Sequence, residues 1–172
     1  MFPLNGPAWS LFFEYIGNIL YALFIRRLST KALAILAGIL SILLLWFTAT
    51  DVCGYGMFGV GWTLDGLNFW GGLLRMLCPF TIGMLLSRVF HRIQFKVKGA
   101  FWISSIILLL LFHVPYIESM VGGSSVGGAD GIMKNGIMLN GVFEAVCIIL
   151  IFPAIVWLGA SGTTTDRFST RV

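Results

Sequence analysis

From Ala32 to Thr50 the chain carries no charged residue, and this run is long enough to cross a lipid bilayer as one helix. A helix rises about 1.5 Å per residue, so a hydrocarbon core of about 30 Å needs roughly 20 apolar residues. Four more stretches meet that requirement: Ala8–Ile25, Phe69–Ser87, Ala100–Ile117 and Gly141–Ala160. The expected fold is therefore all-α, a polytopic bundle of five transmembrane helices. Composition agrees: 58% of the residues are hydrophobic and only 10% are charged, against about 25% charged in soluble domains. So few charges cannot form the polar shell of a soluble domain. No linker or change of composition divides the chain, so residues 1–172 read as a single membrane domain.

The net charge of +4 raises the question of nucleic acid, but the basic residues sit in short segments between helices. Arg26, Arg27 and Lys31 follow the first span, Arg88, Arg92, Lys96 and Lys98 the third, and Arg167 and Arg171 the fifth. The alternate connections, Asp51–Asn68 and Glu118–Asn140, contain only Lys134. Basic residues mark cytoplasmic loops, so the N-terminus is expected outside, the C-terminus inside, and no nucleic-acid partner is expected. Met1–Ser10 has no charged residue, and no cleavable leader is expected ahead of the first span.

The two outer connections are rich in glycine, at 54–61 and 122–128, but neither has the Gly-Lys-Ser/Thr ending of a phosphate loop. They read as flexible connections, with Trp62, Phe69 and Trp70 as aromatics at the membrane interface. Asn135-Gly136 and Asn140-Gly141 are turn signals, so two turns are expected to lead into the fifth helix. Cys53, Cys78 and Cys147 lack metal-ligand spacing. No metal site is expected; Cys78 and Cys147, within spans, read as packing residues, and Cys53 faces outside, where it is open to oxidation.

Charged side chains inside a span cost about 2.5–3.5 kcal/mol each on insertion scales, which makes each a candidate functional residue. There are three, Glu14, Arg75 and Glu144. From the span limits above, Glu14 and Arg75 lie roughly 9 Å deep and Glu144 roughly 5 Å. An arginine between two carboxylates at similar depth reduces the cost of burying all three. Ser10, Glu14, Asn18 and Tyr21 also share one face of the first helix. Lipid cannot satisfy such a stripe, so it is expected to face the bundle interior or a wet cavity. Hydrogen bonding between helices and a substrate site both account for it. His91, between Arg88 and Arg92, reads as interfacial. His113, near the outer end of the fourth span, reads as an interfacial anchor or a general base.

Leu4-Asn5-Gly6-Pro7-Ala8-Trp9-Ser10-Leu11-Phe12-Phe13-Glu14 resembles the N-x-P-x-W-S-L-x-x-E signature of the acyltransferase-3 family of membrane O-acyltransferases. Arg75-Met76-Leu77-Cys78-Pro79-Phe80-Thr81-Ile82-Gly83 is similar to that family's R-x-x-x-x-F-x-x-G helix. Phe152-Pro153, followed by Leu158-Gly159-Ala160, is similar to a later helix of the same family. The resemblance implies an enzyme that moves an acyl group, often acetyl, from cytoplasmic acyl-CoA to a hydroxyl of an extracytoplasmic glycan. It implies acyl-CoA as co-substrate with no bound cofactor, and a plasma-membrane location. Trp9, Ser10, Glu14 and Arg75 occupy matching motif positions. Glu14 and Arg75 are the expected catalytic residues, with Trp9, Ser10, Asn18 and Glu144 as substrate-binding residues. The family's essential histidine and its arginine partner lie on a helix ahead of the W-S-L signature. The chain is therefore expected to be a central piece of the family fold, partnered by the remainder and inactive alone. Two other function classes remain: a small transporter or channel subunit with Glu14, Arg75 and Glu144 along a polar path, and a structural membrane fragment.

Overall fold

In the computed structural model the described residues are 8–53, 66–90, 97–113, 133–134 and 137–162. Among them are five helices: α1 (Ala8–Leu23), α2 (Thr30–Ala49), α3 (Gly66–Phe90), α4 (Ala100–His113) and α5 (Leu139–Ala160). A 3-10 turn, Ile25–Arg27, follows α1. Three helices, α2, α3 and α5, are long and apolar enough to cross a membrane, whereas the apolar parts of α1 and α4 are shorter. Each helix falls on one of the expected apolar runs. The described part of α4 ends at His113, and residues 114–117 of the expected fourth span lie outside the described residues.

Helix α2 is the most regular. Ser29 caps it, its Oγ accepting from the Ala32 N–H at 3.2 Å, which satisfies one of the donors a helix start leaves open. At the other end the Thr50 N–H donates to the Trp46 carbonyl. Asp51 then turns the chain at φ 45°, a left-handed conformation that a short polar side chain tolerates better than most. Leu33, Ala37, Leu40, Leu44, Phe47 and Thr48 are buried along one stripe. The opposite face leaves Ile35, Ile39, Ile42 and Trp46 exposed. Exposed apolar residues along a whole helix face make a lipid-facing surface, since lipid tails replace the neighbouring side chains.

Helix α3 lies between α1, α2 and α5, while α4 packs on the second half of α5. Leu40, Leu44 and Phe47 of α2, Cys78 of α3 and Ala145 of α5 form the buried core. Polar groups within it bond along their own helices, as helix-borne hydroxyls do where water is absent. Ser41 Oγ donates to the Ala37 carbonyl at 2.8 Å, Thr48 Oγ1 to Leu44 at 2.9 Å and Thr81 Oγ1 to Leu77 at 2.9 Å. Ser41 Oγ also meets Cys78 Sγ across the α2–α3 seam at 3.7 Å.

The fifth helix begins two residues earlier than its apolar run and corrects one expected turn. Met133–Lys134 and Ile137–Met138 pair antiparallel, Met133 with Met138 and Lys134 with Ile137; the other expected turn is at Asn135-Gly136. Both of those residues lie outside the described ones. Asn140-Gly141 is no turn: both residues are helical and buried at the start of α5. A Cβ on Gly141 would lie 2.6 Å from the Thr48 carbonyl oxygen, so this glycine is there for close helix approach, not for a turn. Midway, Cys147–Ile151 forms a π turn, in which the Phe152 N–H reaches back to the Cys147 carbonyl. Pro153 follows at once. A proline has no N–H for the carbonyl four residues back, and its ring crowds that carbonyl. A widened turn ahead of it relieves the clash, as π-bulges do elsewhere.

Three contacts fix which helix ends lie together. Arg88 Nη1 donates to the Leu28 carbonyl at 2.7 Å, tying the end of α3 to the α1–α2 connection. Gly141 against Thr48 sets the start of α5 beside the end of α2. The Val97 N–H donates to the Ser161 carbonyl at 3.0 Å, setting the start of α4 beside the end of α5. Arg26, Arg27, Lys31, Arg88 and Lys98 therefore gather at one end of the bundle.

Candidate functional site

Phe13 and Gly17 of α1 meet α3 closely. Phe13 is 1% exposed and its ring lies 5.6 Å from that of Phe69. One turn on, a Cβ on Gly17 would come within 2.6 Å of Met76 Sδ, so the helices touch closely there. Tyr21 extends the seam, its ring edge-on to Phe80 at 6.1 Å. Of the polar stripe of α1, Tyr21 joins this seam, while Ser10, Glu14 and Asn18 lie beside it. Ser10 and Glu14 border a cleft, whereas Asn18 is exposed on the helix surface beyond it. Tight apolar packing fills the direct contact, and the polar groups take the edge, where a ligand or water can reach them.

The cleft has a volume of about 340 Å³ and runs between α1 and α3. Its walls are Ser10, Phe13 and Glu14 on one side, and Gly72, Arg75, Met76, Pro79 and Phe80 on the other. Pro79 lies inside α3 and has no N–H to give to the Arg75 carbonyl four residues back. The usual helical bond at Arg75 is therefore not made in the very turn that borders the cleft. Arg75 itself is half-buried. Glu144 of α5 interacts with it electrostatically, while Glu14 borders the same cleft as Arg75.

The structure thus brings together Ser10, Glu14 and Arg75, all expected as site residues, and joins Glu144 to them through Arg75. Trp9 lies in the first turn of α1. His113 closes α4, and His91 lies outside the described residues. Sequence reasoning did not single out Phe13, Gly72, Met76, Pro79 and Phe80 as site residues, and these complete the cleft wall. In a helix apolar on every face, nothing in the pattern separates the cleft side from the lipid side. Cys78 and Cys147 are buried and Cys78 belongs to the core, consistent with packing. Among the described residues no group of three His, Cys, Asp or Glu stands as metal ligands would.

Chemically, the cleft offers a carboxylate, a guanidinium and a hydroxyl against aromatic and thioether walls. A carboxylate there accepts hydrogen bonds from hydroxyl groups, and a guanidinium donates to carbonyl or anionic oxygens. No family model, curated protein or solved structure matches this chain.

Proposed function

We propose that the protein is a membrane O-acyltransferase component, acting on a hydroxyl of an extracytoplasmic glycan with acyl-CoA, in the first instance acetyl-CoA, as donor. One observation carries the reading. Ser10 and Glu14, from the W-S-L-x-x-E string, border the same cleft as Arg75, Pro79 and Phe80, from the R-x-x-x-x-F string. Two strings far apart in the chain, each similar to the acyltransferase-3 family, thus supply polar groups to a single space. The same proposal places all five helices across the plasma membrane, with the N-terminus outside and the basic end in the cytoplasm.

In the transfer, the acceptor hydroxyl oxygen bonds to the acyl carbon, the carbon–sulfur bond breaks, and the hydroxyl proton leaves through a base to the departing thiolate. Hydroxyls are poor nucleophiles without such a base. In this proposal the base is a histidine contributed by the remainder of the family fold. Glu14 holds the acceptor hydroxyls, and Arg75 donates to the oxygen that becomes negative as the carbonyl is attacked, the role oxyanion donors have elsewhere. Glu144 steadies Arg75 electrostatically, and Ser10 adds a hydrogen bond at the cleft.

The test is a chimera in which this chain replaces the corresponding helices of a complete acyltransferase-3 protein, read by acetyl groups on surface glycan. The chimera should acetylate. Glu14→Gln and Arg75→Leu should each lower transfer about a hundredfold, the scale of a positioned catalytic group, at unchanged protein level. Full transfer by both variants would refute the assignment.

A further inference from the structure

We propose that Arg26, Arg27, Lys31 and Arg88 form a binding site for the phosphate of an anionic phospholipid headgroup. Arg26 and Arg27 lie on the 3-10 turn after α1, and Lys31 in the first turn of α2; all three are exposed. Arg88 in the last turn of α3 reaches into the connection between them, its Nη1 on the Leu28 carbonyl at 2.7 Å. One bond occupies one of five guanidinium donors, so Arg88 adds charge and N–H groups to the same turn. Four cations thus converge where three helices end.

Among the described residues no carboxylate lies at this end of the bundle. The sequence has no Asp or Glu from Tyr15 to Thr50 or from Gly66 to Phe90. The described acids, Glu14, Asp51 and Glu144, belong to the other half of the bundle. In this proposal the neutralising anion comes from outside the chain. Leu23 and Phe24, immediately before the turn, are 55% and 63% exposed. They form an apolar shoulder beside the charges, which suits a ligand with a phosphate head and hydrocarbon behind it. A free phosphate would make no use of that shoulder. Basic clusters at the ends of transmembrane helices attract anionic lipid in this way. The inference stands apart from the acyltransferase reading and needs only that the bundle lies in a membrane.

The full chain, purified in a neutral detergent, is titrated with phosphatidylglycerol, phosphatidylcholine and inorganic phosphate. Lipid retention is followed by native mass spectrometry and stability by thermal unfolding. Phosphatidylglycerol should be retained and raise the unfolding midpoint, while the other two at equal concentration should do neither. The triple variant Arg26→Gln, Arg27→Gln, Lys31→Gln should bind phosphatidylglycerol about a hundredfold more weakly, roughly fivefold per charge. Lys98→Gln, at the same end but on the approach to α4, should leave it unchanged. Equal retention of phosphatidylcholine by the wild type would overturn the proposal. So would stabilisation by inorganic phosphate alone, or a triple variant that keeps its phosphatidylglycerol. The wild-type comparison of the three ligands decides the matter even where the triple variant fails to fold.

Discussion

Gly17 and Gly141 each face a neighbouring helix, but an added methyl group meets different things at the two positions. At Gly141 it would lie 2.6 Å from the Thr48 carbonyl oxygen, which is backbone and cannot turn aside. At Gly17 it would meet the Met76 thioether at 2.6 Å, and a methionine side chain rearranges readily. Gly141→Ala should therefore cost about 2 kcal/mol, in the range of overpacked cores. Gly17→Ala should cost well under that, and thermal unfolding of the two variants in one detergent will rank them. Equal loss would show that the α1–α3 seam is as rigid as the α2–α5 seam. The Asn-Gly at 140–141 looked like a turn because the dipeptide carries the same signal wherever it stands; only the Thr48 carbonyl, from a distant part of the chain, gives this glycine its use. Cys53, just past the end of α2, shows a second local effect. Burial raises its thiol pKa, and the nearby Asp51 charge raises it further. A raised pKa means less thiolate at mildly alkaline pH, so alkylation at pH 8 should run slower than for a free thiol. Asp51→Asn should speed it only modestly, because burial is the larger cause. A rate at or above that of a free thiol would contradict this environment.

Among whole elements, the helices were legible and their contacts were not. A stretch of about 20 apolar residues is read from length alone, so all five helices fall where the apolar runs are. Which face of each meets a neighbour is another matter. Lipid and protein interior are both apolar, and a helix such as α4, with Phe101, Trp102, Ile106 and Leu109 exposed, carries no polar side to mark its outside. The π turn at Cys147–Ile151 was likewise hidden, since Pro153 alone does not say whether the helix kinks, ends or widens. The connections give a cleaner test of backbone against packing. Gly99, just before α4, has φ +71°, and an added Cβ would meet nothing within 4 Å. Gly38, within α2, is equally open but helical. Gly99→Ala should therefore cost about 1 kcal/mol through the left-handed backbone alone, while Gly38→Ala should gain about 0.5–1 kcal/mol from helix propensity. Opposite signs in the two unfolding midpoints are the expected outcome. A loss at both would mean that space matters more than backbone conformation.

For the molecule as a whole, charge placement in the sequence carried an expectation about which side chains come together. Similar depth on odd-numbered spans led to the expectation that Glu14, Arg75 and Glu144 converge. Glu14 and Arg75 do border one cleft, with Glu144 acting on Arg75 from α5. Depth could not reveal that Glu14 and Arg75 line a cleft, because that depends on helix rotation. The same logic governs orientation. Arg26, Arg27, Lys31, Arg88 and Lys98 share one end through the Arg88–Leu28 and Val97–Ser161 hydrogen bonds. Carrying all of these across a membrane would be costly, whereas the opposite connections carry mostly acidic residues, which resist transfer little. The basic end should therefore stay in the cytoplasm. Lys98→Cys and Ser124→Cys, each in a background with Cys53 replaced by Ser, report the two sides. On intact cells an impermeant maleimide should label the cysteine at 124 and leave the one at 98 untouched until the membrane is opened. Labelling at 98 and not at 124 would invert the bundle. It would also move the cleft's Glu14 and Arg75 to the cytoplasmic half, out of reach of any glycan acceptor outside the cell. Labelling at both positions on sealed cells would mean that α4 does not cross the bilayer.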